Sequence, residues 1–324
     1  MAADEAFCMP LAVTICSMLQ NLSPDSRVAI YVLDNGISAS SQQRLRGSWN
    51  DPRATVHWHP VQDAQLAEIP TEGRLNNTTY VRMLLGRLLP ESVKRVIFLD
   101  SDLLVLGDIT ALWRLPFEGA ECLAVQDIST PFMDGETAFP DHCDGKNPSP
   151  QICPIPNYRD LGFSAKDPYF NAGVLSIALA AWRNRDVASL MLSCLERNRS
   201  HILYWDQYVL NAELHGRWRP IPLEWNVGTR FFPSPPYWVT SMLAPAELAA
   251  VKKHPKIIHF TTSDKPWLPY NRHPFRRQFF KVLDHTAWQG WRPVPQWRRS
   301  WFLMRVFLAE WVSRVFTNRG SLWQ

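Results

Sequence analysis

The apolar positions of this chain switch between strand-like runs and helical spacing, and their order predicts a sheet interleaved with helices. Leu11, Ile15, Met18, Leu19 and Leu22 fall on one helical face. Residues 27–33 read as a strand ending at Asp34, and Ser38 offers a cap for a helix running toward Trp49. A short strand is expected at 54–58 and a helix at 80–89, closed by Pro90. Residues 94–99 form a strand that delivers Asp100 and Asp102. Asp108 would cap a short helix through Trp113, and a strand at 122–126 ends at Asp127. This β-α-β-α order implies an α/β fold with a mostly parallel, doubly wound sheet. From 129 to 167 the pattern breaks down into an irregular stretch rich in Pro and Gly, and long segments of that kind are usually functional. Residues 170–179 restore a strand, and 180–198 and 205–214 read as helices. No internal repeat is visible.

Composition narrows the class. With 46% apolar and 20% charged residues among 324, the chain reads as globular, with one large domain or two small ones. The six cysteines (Cys8, Cys16, Cys122, Cys143, Cys153 and Cys194) include no Cys-x-x-Cys pair, so neither a zinc ribbon nor a disulfide framework is indicated. Cys143 and Cys153 share one Pro-rich loop, but a reducing compartment is the simpler expectation. No run of 18 apolar residues exists, and residues 1–5 lack the basic region of a secretory leader. The sequon-like stretches Asn76-Asn77-Thr78-Thr79 and Asn198-Arg199-Ser200 are accordingly read as fortuitous.

Charge is unevenly placed. Residues 272–324 hold ten Arg or Lys against two acids, so this segment carries +8 and the rest of the chain −4. Six of the fifteen tryptophans lie there too. Trp297, Trp301, Met304, Leu308, Trp311 and Val315 step by four and three, which puts them on one stripe of a helix, with Arg298, Arg299, Arg305 and Arg314 off it. Trp beside Arg on such a helix is the pattern of a segment lying in a membrane interface. The competing expectation is a helix packed on the main body of the chain or on a second subunit. Nucleic acid is not expected as a partner, because the body is acidic and the stripe is aliphatic as well as aromatic.

The chemistry is concentrated in a few short motifs. Ile97-Phe98-Leu99-Asp100-Ser101-Asp102 ends an apolar strand in two carboxylates, which repel each other unless a cation lies between them. Oxygen-rich sites favour hard divalent metals, and such metals serve substrates that carry a phosphate or diphosphate. In Phe170-Asn171-Ala172-Gly173-Val174-Leu175 a polar amide and two small residues interrupt an apolar strand, marking either a bulge or a close approach of ligand. Trp205-Asp206-Gln207-Tyr208 opens a helix with an acid and an amide. Ile257-Ile258-His259-Phe260 is a strand ending in His, followed by Lys265-Pro266-Trp267, whose lysine would suit a diphosphate as counter-charge.

Taken together and in this order, these pieces resemble the family 8 retaining glycosyltransferases, near the bacterial galactosyltransferases that extend lipooligosaccharide. The resemblance covers about residues 2–283. It rests also on Ala2-Ala3-Asp4-Glu5, Tyr31-Val32-Leu33-Asp34 with Gly36-Ile37-Ser38, Thr78-Thr79-Tyr80 with Arg82, and Asn211 after Asp206-Gln207. It implies a single catalytic domain of the GT-A type over 1–283, with 129–167 shaping the acceptor side and 284–324 as a basic, aromatic tail. It implies Mn²⁺ as cofactor, with Mg²⁺ as a substitute, on Asp100, Asp102 and His259. A UDP-sugar would lie along Ala2, Ala3, Asp4, Thr79, Arg82, Ser101, Asn171, Ala172, Gly173, Thr262 and Lys265, with Asp4 toward the base and Lys265 at the diphosphate. Gln207, Asp206 and Asp127 would act on the sugar.

The implied reaction moves galactose or glucose to a hydroxyl of a glycolipid or lipopolysaccharide-type saccharide. The implied location is the cytoplasm, peripheral at the inner face of the cell membrane through the tail. Two departures stand out: Ala6 where relatives often have Asn, and Thr262 where they usually have Gly. Only Met1 precedes the Ala-Ala-Asp motif, so either the first strand is very short or a start lies upstream. Two alternatives remain open. One is a family member without turnover that binds membranes. The other is a haloacid-dehalogenase-type phosphatase with Asp100 as nucleophile.

Overall fold

A computed structural model describes residues 1–61, 77–135, 153–232 and 243–294. The first strands follow the apolar runs closely. β1 (Ala2–Ala3), β2 (Val28–Asp34) and β3 (Ala54–Pro60) pair in parallel, in the order β1-β2-β3. Between them lie α1 (Cys8–Gln20) and α2 (Ala39–Arg46), the latter capped by Ser38, whose hydroxyl accepts from the Ser41 amide. The helix expected at 80–89 is instead a 3-10 helix over Asn77–Leu84 that passes into one α-turn, α3 (Leu85–Leu88).

β4 (Val96–Leu99) carries the chain to Asp100, and a strand too short for periodicity to reveal, β5 (Leu103–Val105), follows Asp102 directly. Asp108 caps α4 (Ile109–Trp113), and β6 (Cys122–Gln126) and β7 (Phe170–Ile177) complete the central run. The helix expected at 180–198 breaks into α5 (Leu179–Asn184) and α6 (Val187–Arg197). At the break Asp186 takes φ +48, a left-handed turn that lets its carboxylate accept from the Ser189 amide and cap α6. α7 (Trp205–Glu213), β8 (Trp218–Pro220), β9 (Val227–Gly228), α8 (Pro245–Lys253), β10 (Ile257–His259) and α9 (Arg276–Leu283) finish the described chain.

Parallel pairing prevails, but the strands that close the central region run the other way. β7 is antiparallel to both β4 and β6, with Leu99 opposite Val174 and Gln126 opposite Phe170. The beginning of β7 therefore lies beside the carboxyl ends of β4 and β6, where an α/β sheet presents its ligands. β10 is antiparallel to β5 and parallel to β9, with His259 opposite Leu103 and Gly228. That register brings His259 back to the residue after Asp102.

α1 is buried around its circumference rather than on one stripe. Leu11, Ala12, Val13 and Ile15 are fully enclosed between β5 and α9. Its polar residues are spent on the edge of β5. Thr14 Oγ1 accepts from the Leu103 amide at 3.1 Å and lies 2.9 Å from the carbonyls of Ser101 and Leu103. Ser17 Oγ accepts from the Val105 amide at 3.0 Å. A helix thus completes the hydrogen bonding of a strand edge and holds the Asp100–Asp102 turn from behind.

The chain stays on the body beyond α9. Trp288 is buried with the Arg44 guanidinium 4.3 Å from its ring centre, and the Ala287 amide donates to Ser48 Oγ at 3.0 Å. The Trp stripe expected from 297 onward, Cys143, and the middle of the 129–167 stretch lie outside the described residues. Cys8, Cys16, Cys122, Cys153 and Cys194 carry free thiols. Among the described residues no helix is long and apolar enough to cross a membrane.

Candidate active site

The register just described assembles a cluster of acids and one imidazole. The Asp100 amide donates to the Gly173 carbonyl at 2.9 Å, and the Phe260 amide to the Asp102 carbonyl at 3.1 Å. Both acids are thereby tied to the strands that carry their neighbours. His259 Nε2 lies 3.6 Å from Asp100 Oδ2 and 3.4 Å from Asp102 Oδ1, and one donor atom from each residue falls within 4.8 Å of the others. The imidazole rests on bare backbone. A Cβ at position 173 would stand 2.2 Å from His259 Cε1 and 2.6 Å from Nδ1, so only glycine admits the ring. Nδ1 is 2.9 Å from Asn226 Oδ1, which leaves Nε2 facing the carboxylates. Two carboxylates and one imidazole suit a cation of the Mn²⁺ type better than Mg²⁺, which prefers an all-oxygen shell.

Two cations flank these acids. Lys265 Nζ lies 2.6 Å from Asp102 Oδ2 and also donates to the Phe260 carbonyl. Burial alone would raise the Asp102 carboxyl, but Lys265 and His259 outweigh it and hold the group well below the usual carboxylate range. Lys265, expected at a diphosphate, is thus held here by the nearest carboxylate. The buried Arg82 reaches further. Its Nη2 is 2.8 Å from Asp100 Oδ1, its Nε 2.8 Å from Asp206 Oδ2, and its Nη1 donates to the Ala172 carbonyl at 2.6 Å. Its Cζ stands 4.5 Å from the centre of the Phe98 ring. Burial pushes the Asp206 carboxyl above its ordinary value, opposed by Arg82 and by the Thr79 hydroxyl, which donates to it at 2.6 Å.

A second group lies alongside. Gln207 Oε1 accepts from the Ala172 amide at 3.0 Å, and its Nε2 donates to Asp127 Oδ2 at 3.2 Å. Asn171 Nδ2 donates to the same oxygen at 2.9 Å, while Asp127 Oδ1 takes the amides of Ser129 and Thr130 at 2.6 and 3.1 Å. Ser101 Oγ donates to the Ala2 carbonyl at 2.7 Å, joining the acidic turn to β1.

All these groups line one cavity of about 690 Å³. The residues assigned from the sequence to the metal, the donor or the sugar lie on its wall: Ala2, Ala3, Asp4, Thr79, Arg82, Asp100, Ser101, Asp102, Asp127, Asn171, Ala172, Gly173, Asp206, Gln207, His259, Thr262 and Lys265. Ala6 is exposed and does not line it. Sequence reasoning missed Asn226, Arg230, Tyr204 and Trp205, which also line the cavity. Trp205 was legible only as a helix start, although it is 42% exposed and takes φ +44. Asn226 had no motif around it.

Residues 1–270 match the family model described as Glycosyl transferase family 8. The chain belongs to this family. With that, the phosphatase alternative falls away. General stress protein A of Bacillus subtilis (strain 168) is 24% identical over 295 residues, covering 88% of this chain and 92% of the relative. Lipopolysaccharide 1,2-glucosyltransferase of Escherichia coli (strain K12) is 26% identical over 287 residues, covering 87% of this chain and 76% of the relative. Among solved structures, the galactosyltransferase LgtC in complex with donor and acceptor sugar analogues superposes with a TM-score of 0.70 at 22% identity, over 92% of this chain and 97% of that one. That likeness carries the GT-A type of α/β fold. The cavity above lies at the carboxyl ends of β4 and β6 in this fold.

Proposed function

We propose that this protein transfers galactose or glucose from a UDP-sugar, with retention, to a hydroxyl of a glycolipid or lipopolysaccharide-type saccharide. The observation that carries the reading is the meeting of Asp100, Asp102 and His259 with the Arg82, Asp206, Gln207 and Asp127 cluster in one cavity. Asp100, Asp102 and His259 would hold Mn²⁺, or Mg²⁺ as a weaker substitute. Bound there, the cation would neutralise charge on a departing diphosphate. Ala2, Ala3 and Asp4 would take the uracil and ribose, and Lys265 would supply a counter-charge to the diphosphate. Arg82, Asn171, Asp206 and Gln207 would orient the sugar.

Gln207 is a poor nucleophile. Its amide is neutral, and its oxygen is already engaged by the Ala172 amide. This favours attack from the leaving-group face. The acceptor oxygen bonds to the anomeric carbon as the bond to UDP breaks, and the acceptor proton passes to a diphosphate oxygen. Gln207 and Asp206 would stabilise the oxocarbenium-like sugar between those events.

The proposed organisation is a catalytic unit over 1–283, an acceptor-side insertion at 129–167, and a tail over 284–324 whose basic, Trp-rich part rests on an anionic membrane surface at the cytoplasmic face. Relatives of both sugar specificities support the hexose but not the choice between them.

The test is slow UDP release from UDP-galactose and UDP-glucose, with Mn²⁺ and with EDTA. Release is expected with Mn²⁺ only, and Asp100→Asn should abolish it in a folded protein. Gln207→Ala should lower kcat far more than it raises the donor KM. Full turnover in EDTA would sink the reading. Retained binding to anionic vesicles after removal of 295–324 would overturn the role of the tail.

A further inference from the structure

The amide network behind His259 has only one consistent polarity. The Gly173 backbone N–H can only donate, and it points at Asn171 Oδ1 at 3.0 Å. The atom of Asn226 that lies 2.8 Å from that oxygen must therefore be its Nδ2. The other end of the same amide, Oδ1, then faces His259 Nδ1 at 2.9 Å, so Nδ1 must carry the proton. At its far end Asn171 donates Nδ2 to Asp127 Oδ2, the oxygen that also receives Gln207 Nε2. Asp127 agrees with this direction independently, since its other oxygen takes two backbone amides. Asn226 is 3% exposed and His259 5%, so water cannot substitute for these partners at low cost.

We propose that Asn226 is a positioning residue that fixes the Nδ1–H tautomer of His259, presents the Nε2 lone pair to the space between Asp100 and Asp102, and joins that space through Asn171 to Asp127 and Gln207. This rests on the reading that His259 Nε2 faces a bound divalent cation. An imidazole in the opposite tautomer would turn an N–H toward that cation and could not serve as its ligand. Four hydrogen bonds thus join five side chains, His259, Asn226, Asn171, Asp127 and Gln207, from the cation side of the cavity to the sugar side. Asn226 itself need touch neither ligand.

The test uses full-length protein with ¹⁵N-labelled histidine. Long-range ¹H–¹⁵N spectra are taken without metal at about pH 9, above the ordinary imidazole range. Mn²⁺ binding without donor is followed by the paramagnetic resonance signal of the free ion. In the wild type His259 is expected as the Nδ1–H tautomer. Asn226→Leu should shift it toward Nε2–H and weaken Mn²⁺ binding about 10–100-fold. Asn226→Asp keeps an acceptor for Nδ1 and should retain the tautomer, which covers the case in which the leucine variant fails to fold. A wild-type Nε2–H tautomer would overturn the proposal, as would a leucine variant that keeps both the tautomer and the Mn²⁺ affinity, or an aspartate variant that loses the tautomer. Failure of the wild type to bind Mn²⁺ would instead overturn the metal reading on which the proposal rests, and the two failures are read on separate signals.

Discussion

Replacing Arg82 by methionine is expected to destabilise the fold by about 3–5 kcal/mol, the scale for removing one partner of a buried ion pair. Methionine retains an unbranched chain that can lie along Phe98, so the loss is mainly electrostatic. The two carboxylates it leaves behind do not count equally. Asp206 is 6% exposed in its side chain and keeps the Thr79 hydroxyl and its own backbone amide but no cation in direct contact, whereas Asp100 is 23% exposed and solvent relieves much of its loss. The Asp206 carboxyl already sits above its ordinary value through burial, and without Arg82 it rises further. A folded-state pKa above the unfolded one means that the folded protein binds the proton more tightly. The associated stability is therefore complete below about pH 4 and is lost as pH rises through the folded value. The deficit of the variant should consequently be larger at about pH 8 than at about pH 5. Urea unfolding in EDTA, followed by circular dichroism at both pH values, measures it. Arg82→Met/Asp206→Asn should recover more than half the loss, because the buried charge goes with its partner. A deficit below about 1 kcal/mol, the scale of an exposed pair, or a double variant no more stable than the single one, would refute the reasoning.

Asp102 should act with the opposite sign. Its folded carboxyl is depressed, so its contribution is present above the unfolded value of about 4 and is lost as pH falls through the folded one. In EDTA the stability gap between the wild type and Asp102→Asn should shrink below about pH 4, and a gap that is constant with pH would show that Lys265 and His259 do not hold the charge. Thr14→Val should cost about 1–3 kcal/mol in the same urea assay, because the buried Leu103 amide loses its acceptor. An unchanged midpoint would mean that α1 does not support the acidic turn.

The parts of this site that were legible in the sequence are those where an apolar strand ends in a functional group. Asp100, Asp102, Asp127 and His259 each follow such a run, and the strand itself announces where the residue will stand. Gly173 was legible as an interruption of a strand, though not its reason, which is the His259 ring lying against it. What could not be read is whatever depends on strand direction and on pieces below one period. The antiparallel return of β7 and β10 creates the site, yet β5 and β9 have three and two residues and give no periodic signal. Asn226 follows a 3-10 turn, Leu223–Trp225, and its importance comes entirely from neighbours distant in sequence. Arg82 was placed on a helix correctly enough, but its simultaneous hold on Asp100 and Asp206 is a fact of tertiary packing.

The contact between Gly173 and His259 also sets an order on how this sequence can change. Any side chain at 173 collides with the ring, so a lineage cannot substitute that glycine while the imidazole stays in place. A smaller residue at 259 would open the space, and position 173 would then be free to drift. Reversal would become progressively harder, since restoring the histidine requires the glycine first. The two positions are therefore strongly epistatic, although 86 residues separate them in the chain. Chains of this fold that have abandoned the imidazole should be recognisable by a side chain at the glycine position.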